Sequence, residues 1–455
     1  MVGPLLPLAL VLTGCKDKTP EDTGLTPVPW NPGHTRLLEE VRGYRYARGI
    51  IHLHSPNSHD ACDGEPRPGG VPDAECLADL KAALCTTAAD FAFLTDHPTH
   101  AADQPYEDLF WLEGDDEAVT ENGSAVANSM ACPDGSRTLI MPGIEDELMP
   151  VGLARHVDED PLVRSEIYNE SAPETVASLV EAGGVVLVAH TEHRSVEALT
   201  PLAEAGLSGV EMFNLHAMVD PSKRAEDLGL DPSQWLVDAA PFTDPAGTGE
   251  PDLMFLAFYQ EQSPSIAIWD ALSTTRTTVG VAGTDAHQNV MDWSLRDGER
   301  LDSYRRMIRW FSNWLLVEDT NSPADHREAL RQARVYTVFE SLGTPAGLDV
   351  HATDNDGAVH EVGATLSGGT LSVTCPTLAP DSPTNTTPPD IGARILKDGA
   401  LFAEGCGDHD FDGAGVYRVV FDLTPWHLED LLGENPTAWM RPYPWVYSNP
   451  FRVVP

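Results

Sequence analysis

The sequence predicts an α/β fold, either an α/β barrel or a doubly wound sheet, followed by a small β-sandwich. From about residue 46, apolar strand-like runs alternate with helical stretches. That order is typical of parallel strands joined by crossover helices. After about residue 345, short alternating strands separated by turn-forming residues dominate, which is typical of a sandwich. The chain of 455 residues is long enough for two such domains.

Hydrophobic spacing predicts the individual elements. Leu77, Leu80 and Leu84 recur at helical spacing, whereas the strands are short apolar or alternating runs. The expected helices cover 72–87, 174–182 and 196–205, with a longer helical stretch around 254–272. The expected strands cover 48–54, 91–95, 138–144, 185–189, 209–213 and 278–282 in the first part, and 348–351, 371–375, 393–397, 416–423 and 451–454 in the second.

The N-terminus is typical of an export signal. Pro4 to Leu12 form an apolar run that is too short to cross a bilayer. The run ends in Thr13-Gly14-Cys15, and Leu12 to Cys15 resemble a bacterial lipobox; the alternative is a chance Cys after an apolar start. We therefore expect an exported protein of the cell envelope that is lipid-anchored through Cys15, at the outer membrane or on the periplasmic side. The expected parts are a lipoprotein signal peptide over 1–15, a flexible linker over 16–43, a barrel over 44–345 and a β-sandwich over 346–455.

The charge balance is strongly acidic. Lys and Arg number 28 and Asp and Glu number 71, for a formal net charge of −43. Such a surface repels polyanions, so we expect no binding of nucleic-acid polymers. The expected partners are a small-molecule substrate and, through Cys15, a membrane.

Six further cysteines would lie in an oxidising compartment if the chain is exported. None has the CxxC spacing of zinc ribbons or thioredoxin-like proteins. We expect Cys375 to pair with Cys406 in the β-rich part, and the other four, Cys62, Cys76, Cys85 and Cys132, to pair among themselves.

Histidines and carboxylates end several of the expected strands. His52 and His54 lie two positions apart and project from one face of their strand. Asp285 and His287 repeat this spacing. In a parallel barrel these ends converge on one face, where divalent metals would compensate the desolvated carboxylates. A single His at a strand end is usually a polar cap, but the full set predicts a metal site: His52, His54, His97, Glu145, His190, Asp285 and His287.

The ordered motifs around these residues resemble the PHP (polymerase and histidinol phosphatase) family. The motifs are His52-Leu53-His54-Ser55 with Ser58-His59-Asp60, Thr95-Asp96-His97, Gly143-Ile144-Glu145, Ala189-His190 and Gly283-Thr284-Asp285-Ala286-His287. The resemblance implies a distorted (β/α)7, TIM-like barrel with two or three divalent metal ions, zinc, manganese or iron. It implies that the seven strand-end residues named above are catalytic.

The resemblance also implies how the ligands are shared. His52, His54, Glu145 and Asp285 would hold one ion. A second ion would be held by His97, His287 and either His59 or Asp60, an alternative that the sequence leaves open. Glu145 would bridge to a third ion held with His190 and His156. Glu211 and Asn214 match a family strand and are expected to orient the site.

The region around Ala329 to Thr337 and the β-rich tail resemble the carbaryl-hydrolase-like branch of this family. We therefore expect a metal-dependent hydrolase, with a phosphoesterase as the first interpretation and a carboxylic or carbamate ester or amide hydrolase as the alternative. A non-catalytic binding lipoprotein of the envelope is a third interpretation. The chain has no GxSxG, P-loop or GxGxxG motif that would support serine-hydrolase or nucleotide-dependent chemistry.

Overall fold

The computed structural model describes residues 33–380 and 387–455. The expected signal peptide with Cys15 and most of the expected linker lie outside the described residues. Within the described ranges, no helix combines the length and the apolar character needed to cross a membrane. The structure is a mixed α/β fold with one large sheet and further small sheets.

The strands and helices are named here in chain order. The strands are β1 Arg45–Leu53, β2 Phe91–Leu94, β3 Glu117–Glu121, β4 Ser124–Ala131, β5 Arg137–Pro142, β6 Leu148–Val151, β7 Val185–Val188, β8 Gly209–Asn214, β9 Val279–Ala286, β10 Ser312–Val317, β11 Val335–Val338, β12 Pro345–Ala346, β13 Asp349–Thr353, β14 Val359–Glu361, β15 Thr365–Leu366, β16 Thr370–Thr374, β17 Thr377–Leu378, β18 Asp390–Lys397, β19 Ala400–Glu404, β20 Gly407–Asp410, β21 Gly415–Thr424, β22 Tyr443–Ser448 and β23 Phe451–Val453. The helices are α1 Ala74–Thr86, α2 Pro98–Ala101, α3 Pro161–Tyr168, α4 Pro173–Glu181, α5 Val196–Ala205, α6 Leu215–Val219, α7 Pro221–Glu226, α8 Gln234–Thr243, α9 Ser263–Ser273, α10 Tyr304–Trp310 and α11 Pro323–Arg331.

The strands that carry the site are paired in the order β6-β7-β8-β9-β1-β2-β5. An isolated bridge between Gly143 and Val151 leads from the end of β5 back to β6. Apart from β6, which is antiparallel to β7, these neighbours are parallel. Their carboxyl ends therefore meet at one end of the sheet.

The topology does not confirm a regular TIM-like barrel. Strand β10 pairs antiparallel with β1, and β3 and β4 extend the sheet antiparallel from β5. The fold class is confirmed only as mixed α/β.

The C-terminal part is rich in β structure, as the sequence predicts, but it is divided among several sheets. Strands β14, β13, β16 and β20 form an antiparallel sheet. Strand β22 pairs instead with β11, so it continues the large sheet. The domain limits near residue 345 stay a prediction.

The helical stretch expected around 254–272 is divided. A 3-10 turn covers Pro251–Ala257 and α9 begins at Ser263. Pro264 explains the break, because proline has no N–H to donate to the preceding turn and its ring would clash with the carbonyl four residues earlier. It is tolerated in the first turn of α9.

Candidate metal centre

Histidines and carboxylates meet at the carboxyl ends of these strands. His52 lies in β1 and Asp285 in β9, while His54 and His287 directly follow those two strands. The predicted site residues that the structure brings into one cluster are His52, His54, Asp60, His97, Glu145, His190, Asp285 and His287.

Asp285 is the centre of this cluster. Its Oδ1 lies 3.1 Å from Nε2 of His52, 3.2 Å from Nε2 of His54 and 3.0 Å from Nε2 of His287. Its Oδ2 lies 3.6 Å from Nε2 of His190. One buried carboxylate thus faces four of the predicted imidazoles.

Two further carboxylates, those of Glu145 and Asp60, lie between pairs of histidines in the cluster. Glu145 lies with Oε2 2.8 Å from Nδ1 of His97 and with Oε1 3.4 Å from Nε2 of His190. Asp60 lies with Oδ2 3.4 Å from Nε2 of His97 and 3.2 Å from Nε2 of His287. The three carboxylates and the imidazoles form a continuous set of nitrogen and oxygen donors.

This donor set fits divalent metal ions. The Nε2 atoms of His52 and His54 are buried and form no hydrogen bond, although both lie close to Asp285. An unsatisfied buried polar atom costs about 1–3 kcal/mol, which a bound cation would offset. Three groups have ligand atoms within 4.8 Å of one another: His54 with Asp60, His97 and His287; His52 with His54 and Glu145; and His52 with His190 and Asp285. Imidazole and carboxylate together suit zinc, manganese or iron.

At His52 the nearby carboxylates create a negative potential that outweighs the effect of burial on its pKa, whereas at His54 they do not. Burial alone would lower the pKa of His52, but the charges of Asp285 and Glu211 raise it to about 10. In contrast, burial and the neighbouring charge of His287 lower the pKa of His54 to about 3. The potential therefore favours a cation, either protons on some imidazoles or metal ions between them.

The backbone is strained at three of the cluster residues. His52, His190 and Asp285 have φ values of 67°, 50° and 51°, in the left-handed region that non-glycine residues rarely adopt. The pairing of β1 with β2 is also irregular between Ile50 and Leu53, on either side of His52. Strain of this kind is concentrated at functional sites, where the surrounding structure holds a side chain in one direction.

Glu211 supports the cluster from β8, as expected of an orienting residue. Its Oε1 lies 2.6 Å from Nδ1 of His52. Its Oε2 accepts hydrogen bonds from the backbone N–H of His190 at 2.8 Å and from Nδ2 of Asn214 at 2.9 Å. Gly283 leaves room for this carboxylate, since a Cβ there would lie 1.9 Å from Oε1 of Glu211.

The structure places His59 and Asp60 differently. Asp60 lies among the cluster histidines, whereas the side chain of His59 is exposed and its ring lies 5.0 Å from that of His97. Asp60 is therefore the better candidate ligand.

His156 lies in a different environment. Its Nδ1 is 2.9 Å from Oη of Tyr168 and its Nε2 is 3.0 Å from the carbonyl oxygen of Gln104. Both ring nitrogens already have hydrogen-bond partners outside the cluster, so we remove His156 from the candidate ligands.

His216 belongs to the cluster but was not identified from the sequence. It lies in α6, directly after β8, and its Nδ1 is 3.3 Å from Oδ2 of Asp285. Its side chain is 44% exposed. The only sequence signal was its place two residues after Asn214, at the end of a buried strand.

The comparisons with known proteins assign no family. No family model and no curated protein matches the chain. One similar solved structure is a two-domain protein from Bacteroides vulgatus ATCC 8482, described as containing a predicted PHP-like metal-dependent phosphoesterase; it is 12% identical with a TM-score of 0.37, over 89% of this chain and 97% of that one. Another is PsfC from Pseudomonas syringae PB-5123, also 12% identical, with a TM-score of 0.36 over 65% of this chain and 93% of that one. At these values neither likeness carries an argument about this chain.

Proposed function

We propose that this chain is a metal-dependent hydrolase with two or three divalent ions, zinc, manganese or iron, in the cluster around Asp285. The carboxylate of Asp285 facing five imidazoles is the observation that carries the proposal. The partnerless Nε2 atoms of His52 and His54 and the ordered sequence motifs of the PHP type support it.

Metal ions bound there would supply Lewis acidity that activates water and polarises an oxygen of the substrate. The carboxylates of the chain orient the histidine rings. Glu211 aims the ring of His52, and Asp60 fixes the rings of His97 and His287. His216 is half-exposed beside Asp285, where it is placed to donate a proton to a leaving group.

A phosphate ester is the first substrate class that we propose, from the motif resemblance. Carboxylic esters, carbamates and amides are the second, because the same activated water attacks carbonyl carbon. The second class is compatible with the apolar side chains, such as Met254 and Trp310, that form part of the cavity lining beside the cluster.

We also propose that the protein is exported and lipid-anchored through Cys15. The disulfides Cys62–Cys76, Cys85–Cys132 and Cys375–Cys406 support export, because such bonds persist mainly in oxidising compartments. They also confirm the pairing that was expected from the sequence.

Elemental analysis of the chain from Lys16 onward, combined with turnover assays, tests the function. The assays use a phosphomonoester, a phosphodiester and an aryl carboxylic ester. We expect two or three ions per chain and cleavage of one bond class, both lost in Asp285→Ala and both retained in the control Asp356→Ala, which alters an exposed turn. A protein that cannot be loaded with metal and cleaves none of the three would instead favour a binding lipoprotein.

A further inference from the structure

A cavity of about 500 Å³ opens beside the metal centre and has two unlike walls. The cluster residues form one wall. The apolar wall comes from the segments that follow β8 and β9, since α6, α8, the 3-10 turn over Pro251–Ala257 and α10 all contribute to it. Its buried side chains are Leu215, Trp235, Met254, Phe258, Met307 and Trp310.

The aromatic part of this wall is packed in place. The ring of Phe258 lies 5.7 Å from that of Trp235 and 5.5 Å from that of Trp310, both edge-on. Nε1 of Trp310 donates to the carbonyl oxygen of Asp252 at 2.8 Å, which fixes the indole. The apolar surface is therefore preformed and needs no rearrangement to accept a ligand.

The charges along the cavity disfavour a second anionic group on the ligand. Among the described lining residues, Arg194 is the only Lys or Arg. Its Nη1 lies 3.1 Å from Oε2 of Glu147, so its charge is already partly compensated. Asp146 and Asp302 add further carboxylates outside the metal cluster. A nucleotide or a bisphosphate would find little positive charge beyond the metal ions.

We propose that the substrate has a single hydrolysable group at the metal centre and a compact apolar remainder, aryl or branched alkyl, that packs against Met254, Phe258 and Met307. This inference rests on the proposed hydrolase function and names its substrate class. A sugar or nucleoside remainder would find partners among polar lining residues such as His193 and Asn289, but its hydroxyl groups that face the apolar wall would lack them. An apolar remainder instead removes its own surface from water against that wall. Trp235 provides a buried indole Nε1 without a hydrogen-bond partner in the described structure, so one acceptor atom on the remainder is compatible with the wall.

Matched esters of equal ring size test the inference on the metal-loaded full chain. Cyclohexylmethyl phosphate is compared with glucose 6-phosphate, and cyclohexylmethyl acetate with 6-O-acetylglucose; both members of each pair are esters of a primary alcohol. We expect kcat/KM to be at least about 10-fold higher for the apolar member of the pair that is cleaved. Equal or reversed values would overturn the inference.

Variants link the selectivity to the wall. Met307→Gln places an amide at nearly constant size, and we expect the apolar-to-polar ratio of kcat/KM to fall at least about 5-fold. Met307→Leu should keep the ratio, and so should the control Met440→Gln, since Met440 is not a lining residue. An unchanged ratio in Met307→Gln would contradict the assigned wall.

A binding measurement separates this inference from the proposed function. Calorimetry with cyclohexylmethyl phosphonate and with the phosphonate analogue of glucose 6-phosphate requires no turnover. If no ester is cleaved, the hydrolase proposal fails, but at least about 10-fold tighter binding of the apolar phosphonate still supports the apolar site. Equal affinities would overturn it.

Discussion

The fully buried carboxylate of Glu211, in β8, accepts a hydrogen bond from Nδ1 of His52 at 2.6 Å. This bond determines which nitrogen of the ring carries a proton, and it aims Nε2 at Asp285. A histidine that binds metal commonly donates its other N–H to such an acceptor, which fixes the ring and increases its basicity. Glu211 therefore acts on the metal centre without being one of its candidate ligands.

Glu211→Gln should weaken metal binding about 10- to 100-fold, because an amide keeps the shape but loses the charge that orients His52. Competition with a chromophoric chelator measures the affinity. Glu117→Gln is the matched control, since that side chain is 71% exposed and pairs with Arg137 outside the cluster. Equal affinities in the two variants would contradict the orienting role.

Gly283→Ala should produce a similar loss of metal affinity through sterics alone. The new Cβ would overlap Oε1 of Glu211 and lie 3.2 Å from Nδ1 of His52. Gly392→Ala, in β18, is the control, because nothing lies within 4 Å of its Cβ position. Elemental analysis after dialysis compares the two, and full metal content in Gly283→Ala would show that Glu211 can move at little cost.

Asp60→Asn should lower the metal content by about one ion per chain, because Asp60 faces both His97 and His287. His59→Gln should leave the content unchanged, since its side chain is exposed. The same elemental analysis applies to both. The reverse pattern would assign the ligand to His59.

The disulfides should differ in their effect on the site. Removing Cys62–Cys76 or Cys375–Cys406 by paired Ser substitutions should each cost about 2–4 kcal/mol of stability. Only the first should also weaken metal binding, because the backbone N–H of Cys62 donates to the carbonyl oxygen of His287 at 3.0 Å. Thermal melts and chelator competition measure the two effects, and a comparable loss of metal affinity in both would refute the distinction.

Stability should fall in acid partly through His326, which lies away from the metal centre. Burial lowers its pKa from 6.5 to about 4. Below pH 6.5 the unfolded chain binds a proton at this residue that the folded chain does not. The contribution of neutral His326 to the free energy of unfolding is therefore complete above pH 6.5 and is lost as the pH falls towards 4. It amounts to about 3 kcal/mol at most.

His326→Leu should therefore reduce the slope of unfolding free energy against pH between 6.5 and 4, measured by urea denaturation. Some slope should remain, since burial also lowers the pKa of His427 to about 4. A variant with the full wild-type slope would exclude His326 as a contributor.

Local patterns were sufficient to predict eleven of the 23 strands in the described residues and much of the cluster. His52 and His54, and Asp285 and His287, meet in the cluster as their spacing predicted, although the backbone at His52 and Asp285 is left-handed rather than extended. Likewise, β2, β5, β7 and β8 lie within two residues of their expected limits. Strands β3, β4, β6, β10 and β11 were not expected, and before α9 Pro264 overrode an apolar pattern.

The sequence by itself determined the types of donor at the strand ends and their order along the chain, because strand periodicity and the polarity of each strand end are local properties. Only the tertiary structure decided that Asp60 rather than His59 faces the histidines, that His156 hydrogen-bonds elsewhere, and that His216 joins the cluster. It also decided that β22 continues the large sheet through β11. These outcomes depend on which distant segments pack together, and the energy of such packing is distributed over many residues that no local pattern records.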